Sequence, residues 1–435
     1  MNRNIPLFIA FRLLFNARFY YPIFAVIQLD YGLSMAQFAI LNAVWAVSIV
    51  LLEVPSGALA DRLGRKKMVV GAAGLMVLEM AVIAFVPLGN NMIVFWAWVI
   101  NRILSGAAEA SASGADEALA YDSIPKEEQT RLWPRVLARL MTLSSVAFVI
   151  AMLVGSAVYD ANLVNRALDW LGFESQLEKE VVMRFPVYLT LVTGICALFV
   201  SLAMKEPAAE EANEEKSHSM WGDILAAGKW ILGTPIVLLL ILTALVHDSV
   251  ARLFLVSASE YYRLIEIPVA WFGVIGAGFA ALGMFTPKIA QWLAVNRPIH
   301  RNFLTVSLAT MLGLIGVSLA VPYWGVAMVA FFGIGFGLLN FFMSHYLNAE
   351  VDSKRRATVL SFKGLALNLG FGGLSMLYGG ILRFLRSKEG AGAEADTAFR
   401  ESLFWLPGIF LVLFVALALV VWSKRGQINV ATGTP

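Results

Sequence analysis

The stretch "EVPSGALADRLGRKK", Glu53–Lys67, decides how this chain is interpreted. It follows a run of apolar and small residues at 41–52 and ends in a compact group of one acid and four bases. The charged residues of that group are Asp61, Arg62, Arg65, Lys66 and Lys67. A long apolar segment that stops at a basic turn is typical of a helix that crosses a membrane and ends at its cytoplasmic face.

The composition supports a membrane protein along the whole chain. Of 435 residues, 59% are hydrophobic and 14% are charged, the mean hydropathy is +0.74, and soluble domains carry about 25% charged residues. The net charge of +3 is too small to indicate nucleic acid binding. A single cysteine, Cys196, excludes an intrachain disulfide and a thiolate cluster, and the four histidines are scattered. We therefore expect no metal and no cofactor.

A window of roughly 20 apolar residues, the length that spans a bilayer, predicts twelve transmembrane helices. The predicted spans are 5–30, 34–60, 68–88, 91–119, 132–159, 184–204, 235–259, 269–296, 300–322, 323–349, 357–386 and 402–422. The fold class is thus all-α, an integral membrane protein of two six-helix bundles. The first span is expected to stay in the membrane rather than act as a cleaved signal peptide.

The distribution of charge in the loops predicts orientation and domains. Lys and Arg concentrate in the loops after even-numbered spans, so both termini are expected in the cytoplasm, and the location is expected to be a bacterial inner membrane. The polar segment 205–220 carries five glutamates and is expected to be a mobile linker. This linker divides the chain into four predicted parts. The parts are 1–204 (first bundle), 205–233 (linker with an interfacial helix placing Trp221, Ile224, Leu225 and Trp230 near one side), 234–423 (second bundle) and 424–435 (tail).

Residues in and after the opening stretch have spacings that suit a switch. Gly57 and Asp61 lie four apart and share a helix face, where the small Gly57 lets another helix approach. Asp61 could meet a helix N-terminus, whose dipole favours an anion. Gly64 permits a tight turn. Such a cluster can hold one arrangement of helices and release another.

"GALADRLGRK" resembles the signature of the major facilitator superfamily, Gly-x-x-x-Asp-Arg-x-Gly-Arg-Lys/Arg, and it falls in the loop where that family has it. The resemblance implies a charge latch that closes the cytoplasmic side. The implied latch residues are Gly57, Asp61, Arg62, Gly64, Arg65 and Asp122. "RILSG", which starts at Arg102, resembles the family's span-four motif linked to proton handling. The Gly-Pro stretch of the family's proton antiporters is missing from span five, which argues against drug export.

Ionisable residues inside the spans are costly and tend to face a cavity or a partner. On span four, steps of four and three place polar residues on one stripe, which is predicted to face a central cavity; the alternative is a set of static ion pairs. The proton-coupling candidates are Glu109, Asp116, Arg102 and Asp248. The substrate-cavity candidates are Asn16, Arg18, Glu117, His247, Arg252, Asn340, Lys363 and Asn368. For His247 alone, a structural role is the favoured interpretation.

These features predict a secondary active transporter that moves a small polar, charged or zwitterionic organic solute by alternating access, with protons as the coupling ion. Efflux of amphipathic drugs or lipids by proton antiport is the alternative. A membrane receptor is less favoured because no segment is long enough for a soluble effector domain. No nucleophile–base or metal constellation indicates an enzyme. The expected partners are the solute, protons and the lipid bilayer, without nucleic acid; a monomer is the default.

Overall fold

The computed structural model describes residues 3–113, 115–173, 176–206, 220–283, 285–351, 353–388 and 395–432. Within these ranges the chain forms helices and turns and no strand. The helices before the linker are α1 (Asn4–Asn16), α2 (Phe24–Asp30), α3 (Met35–Leu63), α4 (Arg65–Ala84), α5 (Asn91–Ala112), α6 (Ala115–Asp122), α7 (Lys126–Tyr159), α8 (Ala161–Trp170), α9 (Lys179–Val182) and α10 (Phe185–Ala203). Those after it are α11 (Met220–Gly233), α12 (Pro235–Leu264), α13 (Phe272–Gly283), α14 (Thr286–Asn296), α15 (Ile299–Ser318), α16 (Gly325–Glu350), α17 (Ser353–Lys388), α18 (Ala395–Leu403) and α19 (Trp405–Thr432).

Ten helical segments in the described part of the chain are long and apolar enough to cross a membrane. They cover ten of the predicted spans, and the count of twelve stays a prediction. The remaining two, 5–30 and 91–119, are interrupted helices. The first breaks after Asn16 and resumes through a 3₁₀ turn into α2, and the second breaks at Ser113 between α5 and α6. A single continuous helix is therefore the wrong prediction for both.

Contacts with other helices stabilise the break after Asn16. The backbone amide of Phe19 donates to the Thr190 hydroxyl on α10 at 3.1 Å. On α7, a Cβ placed at Gly155 would lie 1.8 Å from the Phe19 carbonyl oxygen, so only glycine allows this approach. The unwound residues gain hydrogen-bond partners and close packing from two other helices, which offsets the loss of helical hydrogen bonds.

Contacts divide the chain into two units. The first comprises Met1–Glu215 together with Ile267–Ala277, and the second comprises Lys216–Glu266 and Gly278–Pro435. In the first unit α4 packs against α5 and α10, and α3 packs against α5. In the second unit α12 packs against α16, α17 and α19. The predicted division placed residues 267–277 in the second bundle, whereas the contacts assign them to the first unit.

Each unit has its own apolar core. In the first unit Phe11, Val69 and Met76 belong to a buried cluster that joins α1, α4 and α10. In the second unit the cluster around Leu240 and Phe342 includes residues of α11, α12, α15 and α16. The helix α11 begins close to where an interfacial helix was predicted. The Trp221 and Ile224 side chains and linker residues 207–219 lie outside the described residues.

Candidate functional site

The cytoplasmic signature forms a charged contact at the start of α4. Gly64 has φ +95°, a backbone conformation that glycine adopts readily, and this turn separates α3 from α4. The Arg65 side chain pairs with the Asp122 carboxylate and also donates to the Ala118 carbonyl at 3.2 Å, so it joins the start of α4 to α6. The surroundings of three predicted members of the latch, Gly57, Asp61 and Arg62, lie outside what the structure describes.

A residue that the sequence did not single out completes this contact. The Glu206 carboxylate accepts hydrogen bonds from the backbone amides of Arg65 at 2.9 Å and Lys66 at 2.8 Å. It therefore places an anion at the N-terminus of α4, where the helix dipole favours negative charge. Its neighbour Lys205 is held by the Asn4 side chain, whose amide nitrogen donates to the Lys205 carbonyl at 2.7 Å and whose oxygen accepts from the Lys205 amide at 2.9 Å.

A buried ion pair lies inside the first unit. Arg18, which is 4% exposed, pairs with Glu79 on α4, which is fully buried. The Asn101 side chain on α5 donates to the Glu79 backbone carbonyl at 2.8 Å. Arg18 was predicted to face the cavity, and its partner Glu79 was not among the candidates. The two residues are 61 positions apart, so no local sequence signal connects them.

Glu109 lies near this pair but outside it. It is half-buried and within electrostatic range of Arg18, Glu79 and Arg12. Its carboxylate makes no hydrogen bond and no ion pair with the part of the chain that the structure describes. Of the four proton-coupling candidates, Glu109 is thus the one whose carboxylate has no fixed partner there.

The predicted stripe on span four is divided by the break at Ser113. Arg102 is buried and makes cation–π contacts with Phe24 and Trp98, and it donates to the Asn101 side-chain oxygen at 2.6 and 2.9 Å. A Cβ at Gly106 would lie 2.7 Å from Ser48 on α3, so this position serves close helix packing. The stripe is therefore not one continuous helix face, because α5 ends at Ala112.

Asp116 has its own cation beyond the break. Arg12 on α1 pairs with Asp116 at 3.1 Å and with Glu117 at 3.3 Å. Asp116 is 1% exposed, whereas the Glu117 side chain is 48% exposed. Asn16 is exposed and its amide donates to the Arg12 carbonyl at 2.8 Å. Sequence analysis assigned no role to Arg12, which the structure places between two candidate carboxylates.

The second unit holds a separate charged group on α12 and α17. Arg252 pairs with Asp248 at 2.6 Å, one helical turn away, and donates to the Asn368 side-chain oxygen on α17 at 2.8 Å. Its guanidinium also lies 5.2 Å from the centre of the Phe371 ring. Lys363 on α17 is half-buried and within electrostatic range of Asp248. Four predicted site residues are thus brought together.

The other two candidates of this unit lie apart from that group. His247 is buried, with Nδ1 2.8 Å from the Thr243 carbonyl and Nε2 2.8 Å from the Ser307 hydroxyl. Both ring nitrogens have partners, as a structural histidine requires. Asn340 on α16 is exposed and donates to a carbonyl of its own helix, that of Phe336, at 3.0 Å. No group of three or more residues that could hold a metal occurs in the described ranges.

Long apolar helices that enclose buried ion pairs define a multi-pass membrane protein with charged groups in its interior. The family model of the Major Facilitator Superfamily matches residues 7–375, and the chain belongs to that family. It is a secondary transporter, as the signature predicted.

Relatives and solved structures agree with this assignment. The quinolone resistance protein NorA of Staphylococcus aureus (strain COL) is 21% identical over 414 residues, which cover 94% of this chain and 93% of NorA. The crystal structure of the nucleoside transporter NupG has a TM-score of 0.72 at 14% identity and covers 97% of this chain and 99% of its own. That of a bacterial homologue of the human lysosomal transporter Spinster, inward-facing and unoccupied, has a TM-score of 0.70 at 17% identity, with 98% of each chain covered. These structures establish the fold.

Proposed function

We propose that the chain couples the movement of a small polar, charged or zwitterionic organic solute to protons by alternating access. The observation that carries this proposal is the placement of ionisable groups within the spanning segments of both units. These are the Arg18–Glu79 pair with Glu109 beside it in the first unit and the Asp248–Arg252 pair in the second. A solute of purely lipophilic character needs no such groups. We infer that the chain transports rather than catalyses.

Proton coupling needs a carboxylate whose electrostatic partner changes between states. Burial favours the neutral acid and a nearby cation favours the carboxylate, so a cation that moves away promotes proton uptake. Glu109 suits this role because it lies within range of two arginines and is bonded to neither. Asp116 is the next candidate, with Arg12 as the cation that would move. Asp248 follows, since Arg252 already holds it.

The cytoplasmic contact suits a latch that helps switch between states. The Arg65–Asp122 pair is partly exposed on both sides, with side chains 37% and 43% exposed. Such a pair contributes about 0–1 kcal/mol and can therefore open readily. We place both termini in the cytoplasm of a bacterial inner membrane, because the basic loops then lie inside.

Efflux of amphipathic compounds by proton antiport is a second candidate. It is favoured by the alignment with NorA, a quinolone resistance protein, over 94% of this chain. Against it stands span five, which lacks the Gly-Pro stretch of the family's proton antiporters. The charged groups in both units fit polar solutes better.

The test uses purified protein in proteoliposomes with a pH-sensitive dye inside. Solutes found by thermal-shift screening at two pH values are added outside, and solute-dependent proton movement is recorded. Wild-type protein should move protons with solute and concentrate the solute when a pH gradient is imposed. Glu109→Gln should still exchange solute, but it should lose uphill transport and pH dependence.

The control is Glu180→Gln, which removes an exposed carboxylate of the first unit that lies outside the candidate groups. It should keep proton-linked transport. Uphill transport with unaltered pH dependence in both Glu109→Gln and Asp116→Asn would show that these carboxylates are structural. Uphill transport of amphipathic drugs alone would favour the efflux candidate instead.

A further inference from the structure

The second unit carries more positive than negative charge in the group formed by α12 and α17. Arg252 and Lys363 are two cations, and among the described residues Asp248 is the carboxylate that lies near both. The sequence has no Asp or Glu in α13, α14, α15, α17 or α19. On α12 the other carboxylate, Glu260, contacts Arg263 at 3.4 Å and lies 12 residues beyond Asp248, about 18 Å along the axis.

Burial differs between the anion and the cation of the pair. The Asp248 side chain is 5% exposed and that of Arg252 is 24% exposed. Lys363 is half-buried. The carboxylate is therefore almost fully buried, while each cation keeps part of its surface exposed. Because exposed charge in lipid is costly, the open surface of these cations must meet water or a polar ligand.

The guanidinium is held in one orientation. Arg252 forms an ion pair with Asp248 at 2.6 Å, donates to the Asn368 side-chain oxygen at 2.8 Å, and lies over the Phe371 ring at 5.2 Å from its centre. Close packing of α12 on α17 supports this, since a Cβ at Gly370 would lie 2.8 Å from the Ser249 hydroxyl. An arginine fixed in this way presents its remaining N–H groups in a planar fork that matches an oxyanion.

We infer that Arg252 and Lys363, oriented by Asp248 and Asn368, bind the anionic group of the solute, a carboxylate, phosphate or sulfonate. The inference rests on the proposed transport function and narrows its substrate class to organic anions. Arg252 lies 17 residues from Pro235 and 12 from Leu264, the two ends of α12. That mid-helix position is far from where lipid headgroups lie, which favours a dissolved solute over a lipid as the source of the anion.

The test measures binding in nanodiscs through the thermal unfolding midpoint. The probes are benzoate, succinate and glucose 6-phosphate, with benzamide, succinamide and glucose as their uncharged counterparts and choline as a cation. At least one anion should raise the midpoint while its uncharged counterpart does not. The nanodiscs contain phosphatidylcholine alone or a mixture with phosphatidylglycerol, which separates dissolved anions from lipid headgroups.

Lys363→Gln should weaken anion binding about tenfold, since it removes one charge-assisted contact. Arg252→Gln alone leaves Asp248 buried without its cation, so the variant to use is Asp248→Asn with Arg252→Gln, which should abolish binding. The control is Lys388→Gln, the same charge change at the exposed end of the same helix, which should leave affinity unchanged.

Stabilisation by uncharged probes or choline, or by no anion, would overturn the inference. So would unchanged anion affinity in Lys363→Gln, or a Lys363-dependent effect that appears only with phosphatidylglycerol. Proton-linked transport of an uncharged or cationic solute would refute the anion site and leave the proposed transport function standing, so the two failures are distinguishable.

Discussion

Removal of the Glu79 charge should destabilise the first unit more than removal of any other carboxylate in it. Glu79→Gln keeps the size of the side chain and leaves Arg18, 4% exposed, without its buried counter-ion. The groups that remain near the guanidinium include the Phe15 ring at 5.4 Å, Tyr20, Tyr21 and the unbonded Glu109 carboxylate. Loss of one partner from a buried ion pair costs about 3–5 kcal/mol. We expect about 3 kcal/mol here, because a glutamine oxygen can still accept a hydrogen bond.

The assay is unfolding of the purified protein by SDS in mixed micelles, followed by tryptophan fluorescence. Glu109→Gln, a half-buried carboxylate without a hydrogen bond, is the matched control and should cost under about 1 kcal/mol. Arg18→Gln combined with Glu79→Gln should recover most of the loss, because no unpaired charge stays buried. If Glu79→Gln were no less stable than Glu109→Gln, the Arg18–Glu79 pair would not stabilise the first unit and the reasoning would be refuted.

Three further predictions concern the cytoplasmic side. Asp122→Asn should slow transport and should change the free energy of unfolding by under about 1 kcal/mol, since its ion pair is partly exposed. Asp169→Asn, which changes another exposed aspartate, should alter neither quantity. If Asp122→Asn transported as fast as the wild-type protein, the latch would be refuted. Glu206→Gln should speed hydrogen–deuterium exchange of the first amides of α4, which its carboxylate binds; unchanged exchange would contradict that role. Cysteines placed in 205–220 of a Cys196→Ala variant should react with impermeant reagents only from the cytoplasm, and labelling of intact cells would reverse the predicted orientation.

The spans could be predicted because their signal is local. A run of apolar residues of sufficient length is visible in the sequence, and α3, α4 and α12 lie where it placed them. The turn at Gly64 was predictable for the same reason, since glycine followed by a burst of charge ends an apolar helix. Arg65 and Asp122 were both among the latch residues that the family resemblance implied, and the structure brings their side chains into contact, but the pairing itself was not predicted.

The break in span one could not be predicted because its cause is tertiary. Residues 17–20 contain no glycine or proline, and Pro22 alone gives a weak hint. The unwound backbone is supported by Thr190 and by the glycine at Gly155, both more than 100 positions away. Partners such as Glu79 for Arg18, and Glu206 for the start of α4, were missed for the same reason. A sequence window contains no information on which distant helix lies opposite.

The two units differ in the charged groups that they carry, and this difference leads to one more prediction. The first unit holds Glu109, whose carboxylate has no fixed partner in the described ranges, whereas the second holds the half-buried cations Arg252 and Lys363. A proton in one unit can affect a solute in the other only if both bias the same conformational equilibrium, and that coupling must be reciprocal. Glu109→Gln imitates the protonated acid, so its solute affinity should match that of wild-type protein at low pH and should not change as pH rises. Lys363→Gln should instead lower affinity by the same factor at every pH. An affinity that still varies with pH in Glu109→Gln would place the coupling proton on another group, with Asp116 and its cation Arg12 the next to test.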